Sequence, residues 1–311
     1  MHVTVTEIGT LSSGSAAAFI AATSLGPYSS SDAGLIWRRL GIMPSAATFT
    51  IGSCSTPGGT VLFAGHGGGL IRSLDSGRSW QSMLASSPVT AIAIDRDRSD
   101  EPIALIGTAS DGIFRSTDGG AQWSGASPGL LDFEILALQL SPTFTTDNTV
   151  LAATGSGLYR SRNGGQAWRP MHLPEDECAV LCVAFHSAFD AVPTMWAGTE
   201  ASGLARSVDG GTTWTFDQML GRQVVTAVAA SGHNPALILI AADSGIHRSL
   251  DRGESWTLIN PLSDVLCLEI AEQGTGEMLL AGHAKDGILR SMDLGTTWKP
   301  AAISPRKLST D

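Results

Sequence analysis

The chain alternates short apolar runs with polar, glycine-rich connections. Val89–Ile94 is typical: small Ala91 and Ala93 alternate with large Ile92 and Ile94. Ala137 between Leu136 and Leu138, and Ala227 and Ala229 around Val228, repeat the arrangement. A period of two assigns these runs to β-strands. Both faces of each strand are apolar, so each sheet must be covered on both sides. One stretch shows the full unit: strand a at Val89–Ile94, strand b at Pro102–Thr108, strand c at Gly112–Ser116, and strand d starting near Gln122 and Trp123.

Between strands c and d stands a phrase written seven times, Ser-x-Asp-x-Gly-x-x-Trp, clearest at Ser207–Trp214. Its third position is Asp32, Asp75, Asp118, Asn163, Asp209, Asp251 and Asp293, and its last is Trp37, Trp80, Trp123, Trp168, Trp214, Trp256 and Trp298. Neighbouring copies are 43, 43, 45, 46, 42 and 42 residues apart, the mark of an array with one supersecondary unit per period. The predicted fold is all-β, a seven-bladed β-propeller with four antiparallel strands per blade and the phrase in each c–d turn. The units fall at about 1–40, 41–84, 85–127, 128–172, 173–219, 220–261 and 262–303, one domain over 1–303. Residues 304–311 are polar, carry Pro305 and are expected to be a loose tail. Phase alone places the N-terminal run as the inner strand of blade one. Closure is therefore expected from face packing of blades one and seven, without a shared sheet.

In the turn, the aspartate can accept from its own backbone N–H groups and the glycine can take positive φ. Asn163 can accept the same bonds. The tryptophan adds a large apolar area at a fixed point of each unit. Seven copies argue against a catalytic or calcium-binding role, since one active site needs one copy. The phrase is similar to the Asp-box, or BNR repeat. The chain resembles the Asp-box propellers of the sialidase-like superfamily, including sialidases, xyloglucanase-type glycosidases, sortilin-like receptors and the photosystem II assembly factors. That resemblance covers nearly the whole chain and implies the propeller; these families share the turn and not the chemistry.

Other recurring residues read as structural. Arg72, Arg115, Arg160, Arg206, Arg248 and Arg290 precede six of the seven turns, with Ser29 at the first, so they form a ring and not a convergent arginine triad. Tyr28 and Tyr159 sit where other units have Ile71, Phe114, His247 or Leu289, which makes them packing residues. Cys182 and Cys267 share a column with Ala91, Ala137 and Ala227 and read as small core residues. Cys178, Cys182 and His186 stand four apart on a strand, about 13 Å per step, so no metal site is expected there.

Net charge is −10, which argues against nucleic acid or an anionic membrane as partner. The first arginine is Arg38 with no lysine before it, so no basic signal segment is read, and Ala16–Ala22 is too short to span a bilayer. The expected location is cytoplasmic, with no membrane insertion and no cofactor.

Loops that depart from the repeat are the candidates for function. The b–c and d–a loops share one end, here the upper end; the a–b loops and the repeated turns share the lower. Upper b–c loops supply His66, Asp111, Glu200, Asp243, His283 and Asp286, and the d–a loops add Asp132, Glu134, His172, Glu175, Asp176, Glu177, Arg222 and Asp264. The lower loop from Asp95 to Glu101 has mixed charge and reads as a solvated turn. Two functions fit. The first is a non-catalytic propeller that binds a protein partner or scaffolds an assembly through its upper loops. The second is a glycoside hydrolase acting on carbohydrate with two upper carboxylates, which would also need aromatic sugar platforms. Seven of the eight tryptophans are committed to the repeated turns; Trp196 alone is spare, and it lies in a strand.

Overall fold

Seven sheets stand around one axis, each with four consecutive antiparallel strands in sequence order, and one of them carries a fifth strand. The computed structural model describes residues 2–11, 18–41, 47–56, 58–96, 102–175, 178–273 and 276–307, with side chains up to 304. Asp97, Asp100, Glu101, Asp176 and Glu177 lie outside them. The inner strands are Val5–Thr10, Thr50–Thr56, Val89–Ile94, Ile135–Leu140, Val180–Phe185, Val225–Ala230 and Val265–Gln273. Each touches the inner strand of the next blade, and the last touches the first, so the ring is closed. One helical turn, Phe144–Asp147, sits in the a–b loop of blade four.

The alternation of small and large residues packs one blade on the next. A Cβ placed on Gly52 of blade two would lie 2.8 Å from both Ile92 and Ile94 of blade three. On the other face of that strand, Ala91 and Ala93 join the cluster containing Ile135 and Leu138 of blade four. Large side chains therefore fill the space that small residues leave on the preceding blade. Cys182 and Cys267 take the same small positions, opposite Gly198 and Gly282.

Six inner strands carry a register shift near their start that the sequence does not announce; blade two lacks it. Such a bulge frees one residue from the ladder and re-aims it. Thr6 uses this freedom to donate to Thr48 O at 3.2 Å, and Thr226 to Val265 O at 2.6 Å, each across a blade boundary.

The repeated turn has one hydrogen-bond plan. In blade three the Ser116 hydroxyl donates to Asp118 Oδ1 at 2.8 Å and accepts from Gly120 N–H at 2.9 Å, while Asp118 Oδ1 accepts from Gln122 N–H at 2.9 Å. Asn163 keeps the plan with its amide oxygen. The turn glycine takes left-handed φ in all seven copies, for example +82° at Gly165. It also lies against the preceding blade: a Cβ on Gly165 would come 2.1 Å from Leu105.

The arginine ring couples blades through the same turns. Arg115 Nε donates to Gly164 O at 2.7 Å, Arg248 Nη1 to Leu294 O at 2.6 Å, and Arg72 Nη1 to Gly119 O at 3.4 Å. Arg160 reaches Gly210 O, and Arg206 Nη2 pairs with Glu254 at 2.7 Å. These five arginines thus bind the turn of the following blade, whereas Arg290 Nε donates to Met278 Sδ of its own blade at 3.1 Å. The turn tryptophans are less uniform than their spacing suggests. Trp37, Trp168 and Trp214 are buried, whereas Trp80, Trp123, Trp256 and Trp298 are half-buried.

Closure departs from the expectation. Of the expected loose tail, residues 304–307 are instead ordered: Ala302–Lys307 forms a strand parallel to Ile36–Arg39, pairing Ile303 with Trp37. Blade one therefore has five strands, and the chain leaving blade seven straps the outside of its neighbour. The Ile36–Arg39 edge has unpaired backbone groups, and a following strand with Ile303 to bury satisfies them. At the upper end Thr4 Oγ1 donates to Ala284 O at 2.8 Å, tying the first strand to blade seven. Face packing is present, but backbone pairing closes the ring with it.

Candidate functional site

At the upper end the acids predicted from the sequence are brought onto one rim, though not into one cluster. Asp111 is exposed and its Oδ2 accepts from Ser87 N–H at 2.7 Å. Asp243 Oδ2 accepts from Val224 N–H at 3.2 Å. Both carboxylates tie a b–c loop to the segment entering the same blade. Glu200 is exposed, and its backbone N–H donates to Ala179 O at 3.1 Å. His66 is half-buried; its Nδ1 accepts from Gly68 N–H at 3.1 Å and burial holds the ring below the usual histidine range.

His283 is a correction to the reading of it as an accessible binding residue, because it is only 4% exposed. Its Nδ1 accepts from Lys285 N–H at 3.2 Å and Asp286 N–H at 2.8 Å, which leaves Nε2 as the donor to Ser263 O at 2.9 Å. The ring braces its loop. Asp286 beside it remains open to solvent. Glu175 pairs with Arg222, and Lys285 Nζ with Asp264 at 3.1 Å. The same end exposes apolar side chains in its d–a loops: Phe49 at 38%, Leu131 at 83%, Phe133 at 46% and Met219 at 67%.

A second place was missed by sequence reasoning. The lower half of the central channel opens into a cavity of ≈ 500 Å³ lined by the second halves of the inner strands. Glu7 and Glu269 face it from neighbouring blades one and seven, with Asp95 and Arg96 at the end of the blade-three strand. Glu7 Oε2 accepts from Ile51 N–H of blade two at 2.8 Å. Arg96 passes across blade two to donate from Nη1 to Thr10 Oγ1 of blade one at 2.8 Å, so it lies over the lower mouth. Burial pushes the Glu7 carboxyl up to about 7, with the Ile51 bond and the Arg96 charge opposing. Burial likewise pushes Glu269 up to about 7; Arg96 opposes and the Glu7 charge adds. The signal was present in the register. Glu7 stands opposite Ala22, just as Ala91, Ala137 and Ala227 stand opposite Gly107, Ala153 and Ala241, so a charge occupies a column of small residues.

These carboxyls set a pH dependence. A carboxyl raised in the fold binds its proton more tightly than in the unfolded chain, so its stabilisation is complete below about pH 4.5 and is lost as pH rises through 7. Asp75, Asp209, Asp251 and Asp293 act oppositely. Hydrogen bonds from the residue four places on hold them at about 2, so their contribution is lost as pH falls from about 3.8 toward 2. Thermal stability should therefore peak near pH 4–5 and decline on both sides. At pH 8 Glu269→Gln should be more stable than wild type by about 1–2 kcal/mol after allowance for channel water, and equal to it near pH 4. Melting curves of both proteins from pH 3 to 8 check this; superimposable profiles would refute it.

No protein-family model matches the chain, and no curated protein matches it. Solved structures do. A GH74 enzyme from Niastella koreensis superposes with TM-score 0.74 at 16% identity, over 97% of this chain and 53% of its own. YCF48 bound to a D1 peptide superposes with TM-score 0.65 at 15% identity, over 94% of this chain and 92% of its own. The extracellular domain of a one-component system from B. thetaiotaomicron gives TM-score 0.71 at 14% identity over 93% of this chain, which spans only 38% of that protein. These likenesses establish the seven-bladed fold, which hosts both binding proteins and glycoside hydrolases. No helix among the described residues is long and apolar enough to cross a membrane.

Proposed function

We propose that this protein is a non-catalytic propeller, with its seven repeated turns as Asp-boxes, that binds a protein partner or scaffolds an assembly through its upper loops. The observation that carries the reading is the exposure of Phe49, Leu131, Phe133 and Met219 at the end that also presents Asp111, Glu200, Asp243 and Asp286. Apolar side chains within a charged rim are the usual make-up of a protein-binding surface. The lower end also exposes Leu35, Leu74, Val208, Leu250 and Met292, with Val208 and Leu250 lining one hollow, but these lie in the repeated turns, whereas the upper set lies in loops that differ from blade to blade. A partner with basic groups would be steered to the upper rim. Similarity of fold to YCF48 in complex with a peptide agrees with this reading.

Glu200→Lys is the cleanest probe, because no described hydrogen bond of the fold uses its carboxylate. It should weaken partner capture and its salt dependence without moving the melting temperature. Leu131→Ser with Phe133→Ser should abolish capture, and Asp190→Lys on the lower end should leave it intact. Cross-linking mass spectrometry of the complex reads all three. Equal losses from both ends would remove the upper rim as the binding face.

The glycosidase reading rests on the fold shared with GH74 enzymes. It calls for two upper carboxylates; the carboxyl pair that shares a cavity, Glu7 and Glu269, lies instead in the lower channel among aliphatic side chains. A polysaccharide chain needs an open groove with aromatic platforms. Turnover of xyloglucan that stops in folded Glu269→Gln would favour this reading.

A further inference from the structure

We propose that the lower half of the central channel is a binding site for a small organic cation, an ammonium or guanidinium group on an apolar stem, received between Glu7 and Glu269. The inference is independent of the partner surface at the other end.

Three features carry it. The first is space: a cavity of ≈ 500 Å³ lies within the range of small-ligand sites. The second is charge. The described lining has three carboxyl groups, Glu7, Asp95 and Glu269, against one guanidinium, Arg96. Arg96 donates to Thr10 at the mouth, and its single charge does not balance both Glu7 and Glu269. A single added positive charge near Glu7 and Glu269 lets both ionise. The third is the wall. Ile92, Ile94, Phe185 and Ile270 line the same cavity and suit an alkyl stem. An anion meets the opposite field, and a bare metal ion meets too few ligands: no cluster of three or more His, Cys, Asp or Glu converges among the described residues.

The positions also look selected for a ligand and not for packing. Elsewhere the Glu7 column holds Ala91, Ala137, Cys182, Ala227 and Cys267, and the Glu269 column holds Ala93, Ala184, Ala229 and the channel-facing Gln139. A carboxylate in such a column is costly to desolvate and does not improve the contact between blades. Of the two, Glu7 recovers one backbone hydrogen bond, from Ile51. Burial keeps protons on both carboxyls near neutrality, with the Glu7 charge adding at Glu269, so arrival of a cation should expel a proton.

Agmatine, with a guanidinium and an ammonium on a four-carbon stem, is a suitable probe for calorimetry with the full chain. Saturable binding is expected, about ten-fold tighter at pH 8 than at pH 6, with proton release seen as a heat that depends on buffer ionisation enthalpy. Glu269→Gln should remove most of the pH dependence and weaken binding about ten-fold. Gln139 is exposed to the channel and lines the cavity, so Gln139→Lys should supply an internal competitor and weaken binding by a similar factor without a fall in melting temperature. That variant keeps the test valid if Glu269→Gln fails to fold. A Gly-Arg-Gly amide measured beside agmatine distinguishes a partner's side chain from a free cation by which binds more tightly. No saturable heat from either probe, affinity that falls as pH rises, equal affinity for butanoate, or full retention of binding in Gln139→Lys would each overturn the proposal. So would magnesium chloride alone binding as tightly as agmatine.

Discussion

Trp37→Ala should lower the stability of the fold by about 3–5 kcal/mol, the range for removing a fully buried tryptophan. The ring is 0% exposed and lies 6.2 Å from Phe19, and its Nε1 donates to Gly34 O at 3.1 Å. It belongs to the cluster that joins Val5 and Tyr28 of blade one to Met278 and Ile288 of blade seven. Ile303 of the closing strand packs on the same cluster. The cavity left by alanine would therefore loosen the blade junction and the strap together. Trp123→Ala should cost about half as much, because that ring is half-buried and meets Phe63 edge-on at 6.2 Å. Asp118→Ala should fall lower still, about 1–2 kcal/mol, through loss of turn hydrogen bonds. Urea unfolding of the three variants checks the order. Equal midpoints for Trp37→Ala and wild type would contradict the packing account.

Gly245→Ala is expected to cost about 2–4 kcal/mol. Gly245 begins strand c of blade six with φ +123°, where an L side chain is strained by about 1–3 kcal/mol. The added Cβ would also come 2.2 Å from Asn260 O and 2.8 Å from Pro261 Cα. Those atoms belong to the backbone leaving strand d and cannot swing aside as a side chain would, so overpacking adds to the strain. Gly276→Ala is the matched control, since nothing lies within 4 Å of its added Cβ. A chemical melt in which both variants behave alike would show that the b–c turn tolerates a side chain after all.

The fold was legible because its information is local and written seven times. The Ser116–Asp118–Gly120 plan uses side chains within a few residues of one another, so spacing alone implies the turn. The alternation at Ala91–Ile94 reports burial on both faces, and only stacked sheets meet that requirement. The arginine ring was legible as structural, but its partner was not: Arg115 and Gly164 are 49 residues apart, and their contact exists only because one blade follows another. The closing strand was hidden for a similar reason. Residues 302–307 contain a proline and few apolar residues, and their pairing depends on the free edge that blade one happens to present there.

The candidate sites divide in the same way. Sequence by itself determined that Asp111, Glu200, Asp243 and Asp286 lie at one end, because strand order fixes which loops share an end. It also determined the small column at Ala91, Ala137 and Ala227, but that Glu7 stands in this column was decided by a register that includes a bulge. Only the tertiary structure decided that His283 turns inward, that Leu131 and Phe133 turn outward, and that Glu7, Glu269 and Arg96 face one cavity from blades one, seven and three. Glu7 and Glu269 are 262 residues apart in the chain, and no local pattern links them. Their proximity arises when the ring closes, because closure makes the first and last inner strands neighbours. Their elevated affinity for protons follows from that enclosure, since the same carboxyls on an open strand would be hydrated and ordinary.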